Sequence, residues 1–214
     1  MYKLIVFDLD GTLLDTLDDL TDAVNFALQQ YALPLRTREE IRSFVGNGIV
    51  RLVQLAVGNE DVVLQEQVLA EFKKYYGVHC KDKTCVYDGI TELLSSLHQR
   101  GIKTAVLSNK ADFAVKLLAE EYFPNTFFTA QGENEPAGIR KKPAPDALYA
   151  IMREAGVEKE ETLYVGDSEV DIQTANNAEV GCVSVTWGFK EESFLEKHGA
   201  MRIARVPMDV IKFL

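Results

Sequence analysis

A short apolar run near the start of the chain, Leu4–Phe7, constrains the fold most, because its strand partners must lie far away in the sequence. Such a run is typical of a strand buried on both faces of a parallel sheet. The next segments with strand character come only after residue 85, since residues 15–82 show the apolar spacing of helices. The later part of the chain must therefore complete the sheet that this first strand joins.

Four helices are predicted within residues 15–82. They run from Leu17 to Tyr31, from about Thr37 to Val45, from Ile49 to Val57 and from Asp61 to Tyr76. Asp15 and Thr16 are candidate caps of the first helix, and Thr37 with Glu40 forms a candidate capping box for the second. We expect this block to be an α-helical cap domain inserted into the sheet domain.

From Val86 onward, strands and helices alternate. The predicted strands are 102–107, 126–129, 162–165 and 182–185, and the predicted helices are 90–100, 111–122, 145–155 and 171–178. This alternation predicts an α/β fold, a doubly wound Rossmann-like parallel sheet with right-handed crossovers. Residues 1–14 and 83–214 would form this core domain, and residues 15–82 the cap.

Composition excludes several classes of partner. The net charge is −10 and no run is rich in Lys or Arg, which argues against nucleic acid and acidic membrane surfaces. No apolar run approaches the roughly 20 residues that span a bilayer, and the start of the chain shows no leader pattern. Three cysteines, Cys80, Cys85 and Cys182, are expected to be reduced thiols of a cytoplasmic protein. No pattern decides between a monomer and a homodimer.

Polar side chains follow the predicted strands, at the sheet edge where doubly wound folds bind their ligands. Asp8 and Asp10 come directly after the first strand and share one face, since side chains at i and i+2 point the same way. The later strands and the loop before the 145–155 helix bring further polar groups to this edge: Ser108, Asn109 and Lys110; Lys141 and Lys142; and Gly166, Asp167, Ser168 and Asp171.

Three of these carboxylates, Asp8, Asp10 and Asp167, suit a small hard cation, and Mg²⁺ fits best. Carboxylates held close together repel one another unless a cation or a shared proton relieves them. A carboxylate can also attack a phosphoryl group, and a second one can move the proton of the leaving oxygen. Phosphoryl transfer otherwise needs mainly positioning and charge neutralisation, which a lysine, a hydroxyl and backbone N–H groups can supply.

Each of these patterns also has a purely structural explanation. Asp10 with Gly11 could form an ordinary turn, and Ser108 with Asn109 could cap a helix. Asp171 could serve only as a helix N-cap, and the adjacent lysines 141 and 142 could be a solvated pair. Trp187–Gly188, after the last predicted strand, is expected to belong to the core rather than to a site.

Together the patterns resemble the four ordered motifs of the haloacid dehalogenase superfamily of phosphatases. Asp8–Thr12 is similar to the first motif, Ser108 to the second, Lys142 before Pro143 to the third, and Gly166–Asp171 to the fourth. The resemblance covers essentially the whole chain, because a helical cap inserted just after the first motif is also a feature of that family.

The resemblance implies a role for each carboxylate. Asp8 would be the nucleophile that forms an aspartyl-phosphate. Asp10 would be the general acid and base, with its backbone carbonyl on Mg²⁺. Asp167 would complete the metal site with Asp8, and Asp171 would support that site or orient Lys142.

The remaining motif residues would hold the phosphoryl group. Ser108, the Asn109 backbone and Thr12 would bind phosphoryl oxygens. Lys142 would balance the charge of Asp8 and the phosphate, with Lys141 as its rival. Two further members of the fourth motif, Gly166 and Ser168, would support the site.

The resemblance also narrows the reaction. Dehalogenases of the superfamily lack the second aspartate, so the presence of Asp10 favours phosphoester hydrolysis. Phosphonate-cleaving relatives use a cap lysine, and residues 15–72 contain none. A phosphomutase similar to β-phosphoglucomutase and an inorganic pyrophosphatase remain open. A non-catalytic phosphate-binding module would be expected to lack Asp8 or Asp10.

Substrate choice is expected to lie in the cap. Phe44–Gly48 resembles the corresponding segment of the family's phosphoglycolate phosphatases, which makes Gly46 and Asn47 candidate binding residues. Arg51, one turn further on, could pair with a substrate carboxylate. A plain helix break followed by a surface arginine explains this segment equally well. We expect a small anionic phosphoester such as 2-phosphoglycolate, and hinges near Leu14 and residues 84–87 if the cap moves.

Overall fold

The computed structural model of the chain describes residues 1–134 and 138–214. These residues form two compact units. One unit comprises Met1–Leu14 and Val86–Leu214, and the other is Asp15–Cys85. The helical unit thus includes residues 83–85, which the sequence pattern assigned to the core.

The first unit is built on a parallel sheet of six strands. In chain order the strands of the molecule are β1 (Leu4–Phe7), β2 (Leu14–Asp15), β3 (Cys85–Val86), β4 (Lys103–Ala111), β5 (Thr129–Glu133), β6 (Thr162–Gly166), β7 (Gly181–Val185) and β8 (Ile203–Ala204). The order across the large sheet is β5-β4-β1-β6-β7-β8, so β1 lies in the middle between β4 and β6. The two short strands β2 and β3 pair with each other at the two points where the chain passes from one unit to the other.

Helices follow the strands as the alternation predicted. The helical unit contains α1 (Leu17–Gln29), α2 (Arg38–Phe44), α3 (Ile49–Val57) and α4 (Val62–His79), and the α/β unit contains α5 (Ile90–Gln99), α6 (Asp112–Tyr122), α7 (Asp146–Ala155), α8 (Glu169–Ala178) and α9 (Glu192–Lys197). Two 3₁₀ helices lie at Lys159–Glu161 and Pro207–Phe213. The parallel α/β fold class predicted from the sequence is therefore confirmed.

The core of the α/β unit explains why β1 carries no polar residue. All four residues of β1 are buried. Leu4 and Val6 pack in one cluster with residues of β4, α7 and β6. Of the largest fully buried side chains among the described residues, that of Tyr164 alone carries a hydroxyl group. A central strand covered on both faces must be apolar along its whole length, and it ends where Asp8 begins the site.

Three predicted boundaries in the α/β unit were wrong. The strand expected at 126–129 is β5, Thr129–Glu133, because the Thr126 carbonyl accepts hydrogen bonds from the Thr104 hydroxyl and the His98 ring instead of joining the sheet. Strand β4 continues through residues 108–110 to Ala111, so these residues belong to the strand rather than follow it. Helix α8 begins at Glu169, two residues before the prediction. The sequence pattern also missed α9 and β8.

Side chains cap the starts of the first two helices of the helical unit. The predicted capping box of Thr37 and Glu40 is confirmed, with the Thr37 hydroxyl accepting from the Glu40 N–H at 3.2 Å. At the start of α1 it is Asp15, and not Thr16, whose side chain accepts from the Leu17 N–H, at 3.1 Å. Helix α4 extends beyond the predicted end at Tyr76 to His79.

Buried Asp19 on α1 explains why residues 83 and 84 belong to the helical unit. Its carboxylate accepts hydrogen bonds from the backbone N–H groups of Lys83 and Thr84 and from the Thr84 hydroxyl. A buried carboxylate needs such partners, so the returning segment is fixed to the first turn of α1.

The cysteines and the lengths of the helices were also the subject of predictions from composition. Cys80, Cys85 and Cys182 are free thiols. Among the helices of residues 1–134 and 138–214, none combines the length and the apolar character needed to cross a bilayer.

Candidate active site

The site begins with Asp8, which directly follows the central strand β1. The Asp8 N–H donates to the Val165 carbonyl at 2.9 Å, so the backbone still follows the sheet at this point. The Asp8 side chain is buried, and its Oδ1 accepts from the Leu9 N–H at 2.7 Å and from Lys142 Nζ at 3.0 Å. Its position at the carboxyl end of the middle strand is where a parallel α/β sheet presents its ligand site.

Lys142 is the buried cation that faces Asp8. Its Nζ lies 3.0 Å from Asp8 Oδ1, 2.7 Å from Asp171 Oδ1 and 3.1 Å from the Tyr164 hydroxyl. An ammonium has three hydrogens to donate, and these three oxygens can accept all of them. Of the two adjacent lysines, it is therefore Lys142 that pairs with the candidate nucleophile.

The backbone of Lys142 is held as firmly as its side chain. The Lys142 N–H donates to Asn109 Oδ1 at 2.8 Å, and Asn109 Nδ2 donates back to the Lys142 carbonyl at 3.0 Å. The side chain of Asn109 is thus used to join β4 to the Lys142 loop. Tyr164 on β6 continues the network by donating its hydroxyl proton to the Leu107 carbonyl at 3.0 Å.

Asp171 lies one turn into α8 and is completely buried. Its Oδ1 accepts from Lys142, and its Oδ2 accepts from the Ser168 N–H at 3.1 Å and the Ser168 hydroxyl at 2.6 Å. The N-cap of this helix is Ser168, and Asp171 is the third residue of its capping box, so the alternative of a simple N-cap was wrong. Gly166 is required here, because a β-carbon on it would lie 2.3 Å from the Asp171 carboxyl carbon.

Asp167 is the third buried carboxylate, and glycines surround it closely. A β-carbon on Gly11 would lie 2.4 Å from Asp167 Oδ2, and one on Gly188 would lie 2.5 Å from Asp167 Cβ. The Phe189 N–H donates to Asp167 Oδ2 at 2.7 Å. Gly11 also has φ +81°, a conformation that glycine adopts without strain.

The turn after β7, residues 187–189, contributes to the site in a way the sequence analysis missed. We expected Trp187–Gly188 to belong to the core, but Gly188 packs on Asp167 and Trp187 Nε1 donates to the Thr12 carbonyl at 3.0 Å. A usable signal existed: the turn follows a strand adjacent to β6, so its start must lie at the same sheet edge.

Asp10 does not share the side-chain cluster of the other aspartates. Its two carboxylate oxygens lie 2.9 and 3.0 Å from Lys110 Nζ. Lys110 was predicted to lie at this edge without a role. Its position directly after Ser108 and Asn109, two predicted phosphate-binding residues, is the signal that could have indicated one.

The residues predicted to bind phosphate are all buried at this edge of the sheet. Ser108 and Asn109 are 4% and 5% exposed, and Thr12 is fully buried. Within the part of the chain that the structure describes, the Thr12 hydroxyl has no hydrogen-bond partner. A buried hydroxyl without a partner costs free energy unless a ligand or an ordered water satisfies it.

The carboxylates form a cluster that fits a divalent cation. Ligand atoms of Asp8, Asp167 and Asp171 all lie within 4.8 Å of one another. Lys110 pairs with Asp10, and Lys142 pairs with Asp8 and Asp171, so the four aspartates, including Asp167, outnumber the two lysines beside them. An all-oxygen donor set with this charge is the type that Mg²⁺ prefers.

Burial and mutual repulsion show in the pKa values of these groups. For Asp8 burial is the largest influence; Lys142 opposes it, Asp171 and Asp10 add to it, and the pKa rises to about 7. Burial, followed by the charges of Asp171 and Asp8, raises the pKa of Asp167 well above its usual value. Burial alone would lower the pKa of Lys142, but Asp171 and Asp8 carry it well above its usual range.

The predicted cap residues belong to the helical unit. Gly46 and Asn47 lie between α2 and α3, and Gly46 and Gly48 both have positive φ. Arg51 on α3 is exposed and lines a groove of about 480 Å³ with Asn59 and Glu60. Their role in substrate binding stays a prediction.

Buried carboxylates and lysines thus meet at the edge of a parallel α/β sheet where such folds bind their ligands. The chain belongs to the haloacid dehalogenase-like hydrolases, since the model of that family matches residues 5–185. This confirms the resemblance seen in the four motifs.

Similar proteins point the same way. The phosphoglycolate phosphatase of Pseudomonas syringae pv. syringae is 37% identical over 210 residues, covering 94% of this chain and 76% of that protein. The phosphoglycolate phosphatase of Haemophilus influenzae is 35% identical, covering 88% of this chain and 87% of that protein. The crystal structure of a candidate phosphoglycolate phosphatase from Lactobacillus delbrueckii subsp. bulgaricus has a TM-score of 0.94 and 39% identity, and covers 99% of this chain and 98% of its own. Family and relatives indicate a phosphatase.

Proposed function

We propose that the protein is a magnesium-dependent phosphomonoester hydrolase that works through an aspartyl-phosphate on Asp8. One observation carries this proposal: ligand atoms of Asp8, Asp167 and Asp171 lie within 4.8 Å of one another, with Lys142 against two of the three carboxylates. Such a buried cluster is costly for a structural role alone, whereas it suits the neutralisation that phosphoryl transfer requires.

Asp8 and Asp10 divide the chemistry between them. An oxygen of Asp8 forms a bond to phosphorus while the bond from phosphorus to the leaving oxygen breaks. Asp10 gives its proton to that oxygen, which departs as an alcohol. A water then attacks the phosphorus while the bond from phosphorus to the Asp8 oxygen breaks, and the water gives a proton to Asp10. This step releases inorganic phosphate and restores both carboxyl groups to their starting states.

The remaining residues position and neutralise the phosphoryl group. The Ser108 hydroxyl, the Asn109 N–H and Thr12 would bind phosphoryl oxygens, and Lys142 would hold Asp8 in its attacking orientation. Three protein oxygens already accept the hydrogens of Lys142 Nζ. We therefore expect Lys142 to act mainly through Asp8, since a hydrogen bond to the phosphate would have to replace one of these three.

Asp8, Asp167 and the backbone carbonyl of Asp10 would hold Mg²⁺, with Asp171, Gly166 and Ser168 supporting them. The ion would neutralise charge on the phosphoryl oxygens. Burial and mutual repulsion raise the pKa values of Asp8 and Asp167. A nearby cation would lower these pKa values and so favour the ionised carboxylate that Asp8 needs in order to attack.

For the substrate we propose a small anionic phosphoester, with 2-phosphoglycolate first. Support comes from the two bacterial phosphoglycolate phosphatases at 37% and 35% identity. Arg51 would pair with the substrate carboxylate, and Gly46 and Asn47 would bind beside it, as the resemblance of Phe44–Gly48 suggests.

Phosphate release from a panel of compounds tests the proposal. The panel contains 2-phosphoglycolate, pyrophosphate, hexose phosphates and 4-nitrophenyl phosphate, each with Mg²⁺ and with a chelator. Magnesium-dependent release with the highest kcat/KM on 2-phosphoglycolate is the expected result. Highest activity on another compound would overturn the substrate only, and no release from any compound would overturn the phosphatase proposal itself.

A further inference from the structure

A second buried lysine contacts the candidate acid/base carboxylate. Lys110 Nζ lies 2.9 Å from Asp10 Oδ1 and 3.0 Å from Asp10 Oδ2, so one ammonium contacts both oxygens. The Lys110 side chain is 2% exposed and that of Asp10 is 12% exposed. A salt bridge so removed from water contributes little to the stability of the fold, because the cost of desolvating the two charges offsets much of their attraction.

The backbone on both sides of this pair is fixed. Lys110 stands near the end of β4, which pairs in parallel with β1, and Asp10 stands just beyond the end of β1. The Lys110 N–H donates to the Ser108 hydroxyl at 3.3 Å. Gly132 on the neighbouring strand packs so closely that a β-carbon on it would lie 2.5 Å from the Lys110 carbonyl oxygen. The backbone that carries this ammonium is therefore held in place, and the two contacts with Asp10 locate the ammonium itself.

From this geometry we infer that Lys110 is a positioning residue for Asp10, and the inference rests on the function proposed above. Asp10 can move a proton only when its carboxyl group lies within hydrogen-bond reach of the leaving oxygen or the attacking water. An ammonium that contacts both of its oxygens fixes the orientation of the carboxyl plane. Lys142 and Lys110 would then have parallel tasks, one for the nucleophile and one for the acid/base.

The competing role for Lys110 is direct binding of the substrate's phosphoryl or carboxylate group. The two roles differ in what happens once Asp10 has lost its function. A residue that acts through Asp10 contributes nothing further in an Asp10→Asn background, whereas a residue that binds substrate contributes in either background.

The test is a double-mutant cycle measured as kcat/KM on two aryl phosphates with Mg²⁺. The variants are Lys110→Met, Asp10→Asn and the double variant. Phenyl phosphate has a poor leaving group that needs a proton, and 4-nitrophenyl phosphate has a good one that needs it far less. Lys103→Met is the matched control, since Lys103 lies at the start of the same strand and donates to the Ala155 carbonyl.

We expect Lys110→Met to lower kcat/KM on phenyl phosphate about 100-fold and on 4-nitrophenyl phosphate at most about 10-fold. The double variant should match Asp10→Asn within about 2-fold, and Lys103→Met should match the unmodified protein. Lys110→Arg, which keeps the positive charge and can still pair with a carboxylate, should recover part of the loss.

Equal losses on both aryl phosphates, or a further loss of 10-fold or more when Lys110→Met is added to Asp10→Asn, would overturn the inference. If Lys110→Met alone does not fold, the comparison of Asp10→Asn with the double variant decides, because there the paired charges are removed together. Failure of the unmodified protein to hydrolyse these compounds and 2-phosphoglycolate alike would instead contradict the proposed function.

Discussion

The α/β unit and the helical unit differ sharply in how they present their candidate functional residues. In the α/β unit, Asp8, Asp171 and Lys142 are buried, and each makes at least two polar contacts, of which at least one joins it to another element. In the helical unit, Asn47 and Arg51 are exposed residues of a single helix–loop–helix segment. Residues from distant parts of the chain meet in the first case, whereas the candidates of the second case are only near neighbours in sequence.

We infer from this difference that the chemistry depends on the buried network of the α/β unit and substrate choice on the exposed segment of the helical unit. The chemistry depends on side chains whose positions are fixed by packing and by several partners, as a reaction that relies on positioning requires. Exposed residues on a small helical unit can vary without disturbing that network. Substitutions in the two units test this contrast, and the largest effect is expected at the nucleophile.

Replacing the nucleophile should abolish chemistry without unfolding the protein. Asp8→Asn keeps the size of the side chain and removes the attacking carboxylate, so kcat should fall by about 10⁴-fold or more. Phosphate release with Mg²⁺ measures the loss, and Asp88→Asn, an exposed aspartate of the same unit, is the control. Retention of full activity by Asp8→Asn would mean that another group attacks the phosphorus.

A methyl group beside Asp167 should test how tightly packing fixes the site. A β-carbon on Gly188 would lie 2.2 Å from the Gly11 carbonyl and 2.5 Å from Asp167 Cβ, so Gly188→Ala must displace one of them. We expect the Mg²⁺ concentration for half-maximal activity to rise about 10- to 100-fold, as for other disturbed supports of metal ligands. Magnesium titrations of activity measure this shift.

The matched control lies in the helical unit. A β-carbon on Gly77 in α4 would meet nothing within 4 Å. Gly77→Ala should therefore leave magnesium use unchanged and raise the free energy of unfolding by about 1 kcal/mol. Equal behaviour of Gly188→Ala and Gly77→Ala would contradict the contrast between the two units.

Stability should depend on pH in a way that Mg²⁺ reverses. The Asp8 carboxyl has an ordinary pKa of 3.8 and a pKa of about 7 in the folded protein. Between these values the folded state binds more protons than the unfolded state, so stability falls as the pH rises from about 4 to about 7. The raised pKa of Asp167 acts in the same direction.

With a chelator present, we expect the free energy of unfolding to fall by a few kcal/mol across this range, and Mg²⁺ to restore much of it at pH 7.5. Denaturant titrations at pH 5 and pH 7.5 provide the measurement. Asp8→Asn should flatten the pH dependence. A stability that rises with pH in the metal-free protein would show that burial and mutual repulsion do not raise the pKa values of these carboxyl groups.

The smallest effect is expected in the helical unit. Arg51→Met should raise KM for 2-phosphoglycolate about 10-fold with little change in kcat, because it removes binding and not chemistry. Steady-state kinetics on 4-nitrophenyl phosphate, which lacks a carboxylate, should show almost no change. Lys74→Met, another exposed cation of this unit, is the control. An unchanged KM for Arg51→Met would favour the surface-arginine interpretation, which its position beside Glu60 also suits.

Much of the fold could be predicted from sequence, because a buried parallel sheet and amphipathic helices leave strong periodic signals. The apolar run Leu4–Phe7 and the alternation after Val86 determine the fold class. The strand predicted at 126–129 failed because β5, Thr129–Glu133, is a half-buried edge strand without an apolar pattern. The start of β5 could not be distinguished from the preceding turn by residue type.

The site was only partly predictable for a related reason. Asp8 and Asp167 stand out because they directly follow buried apolar strands, and Lys142 stands out through its resemblance to the third motif. The residue types of Tyr164 and of the turn at 187–189 give no such signal, since an aromatic residue in a strand and a glycine after one are commonplace, and only its place after a strand could have indicated the turn. Their contacts to Lys142 and Asp167 depend on packing between elements, which only the structure supplies.

Trapping the covalent intermediate tests the central claim most directly. The protein is mixed with Mg²⁺ and 2-phosphoglycolate, quenched during turnover with sodium borohydride, digested and analysed by tandem mass spectrometry. Borohydride reduces an acyl phosphate to an alcohol, so phosphorylated Asp8 would appear as homoserine at position 8. We predict homoserine at this position alone, and none in Asp8→Asn. Homoserine at another aspartate, or its absence while phosphate is released, would contradict the account.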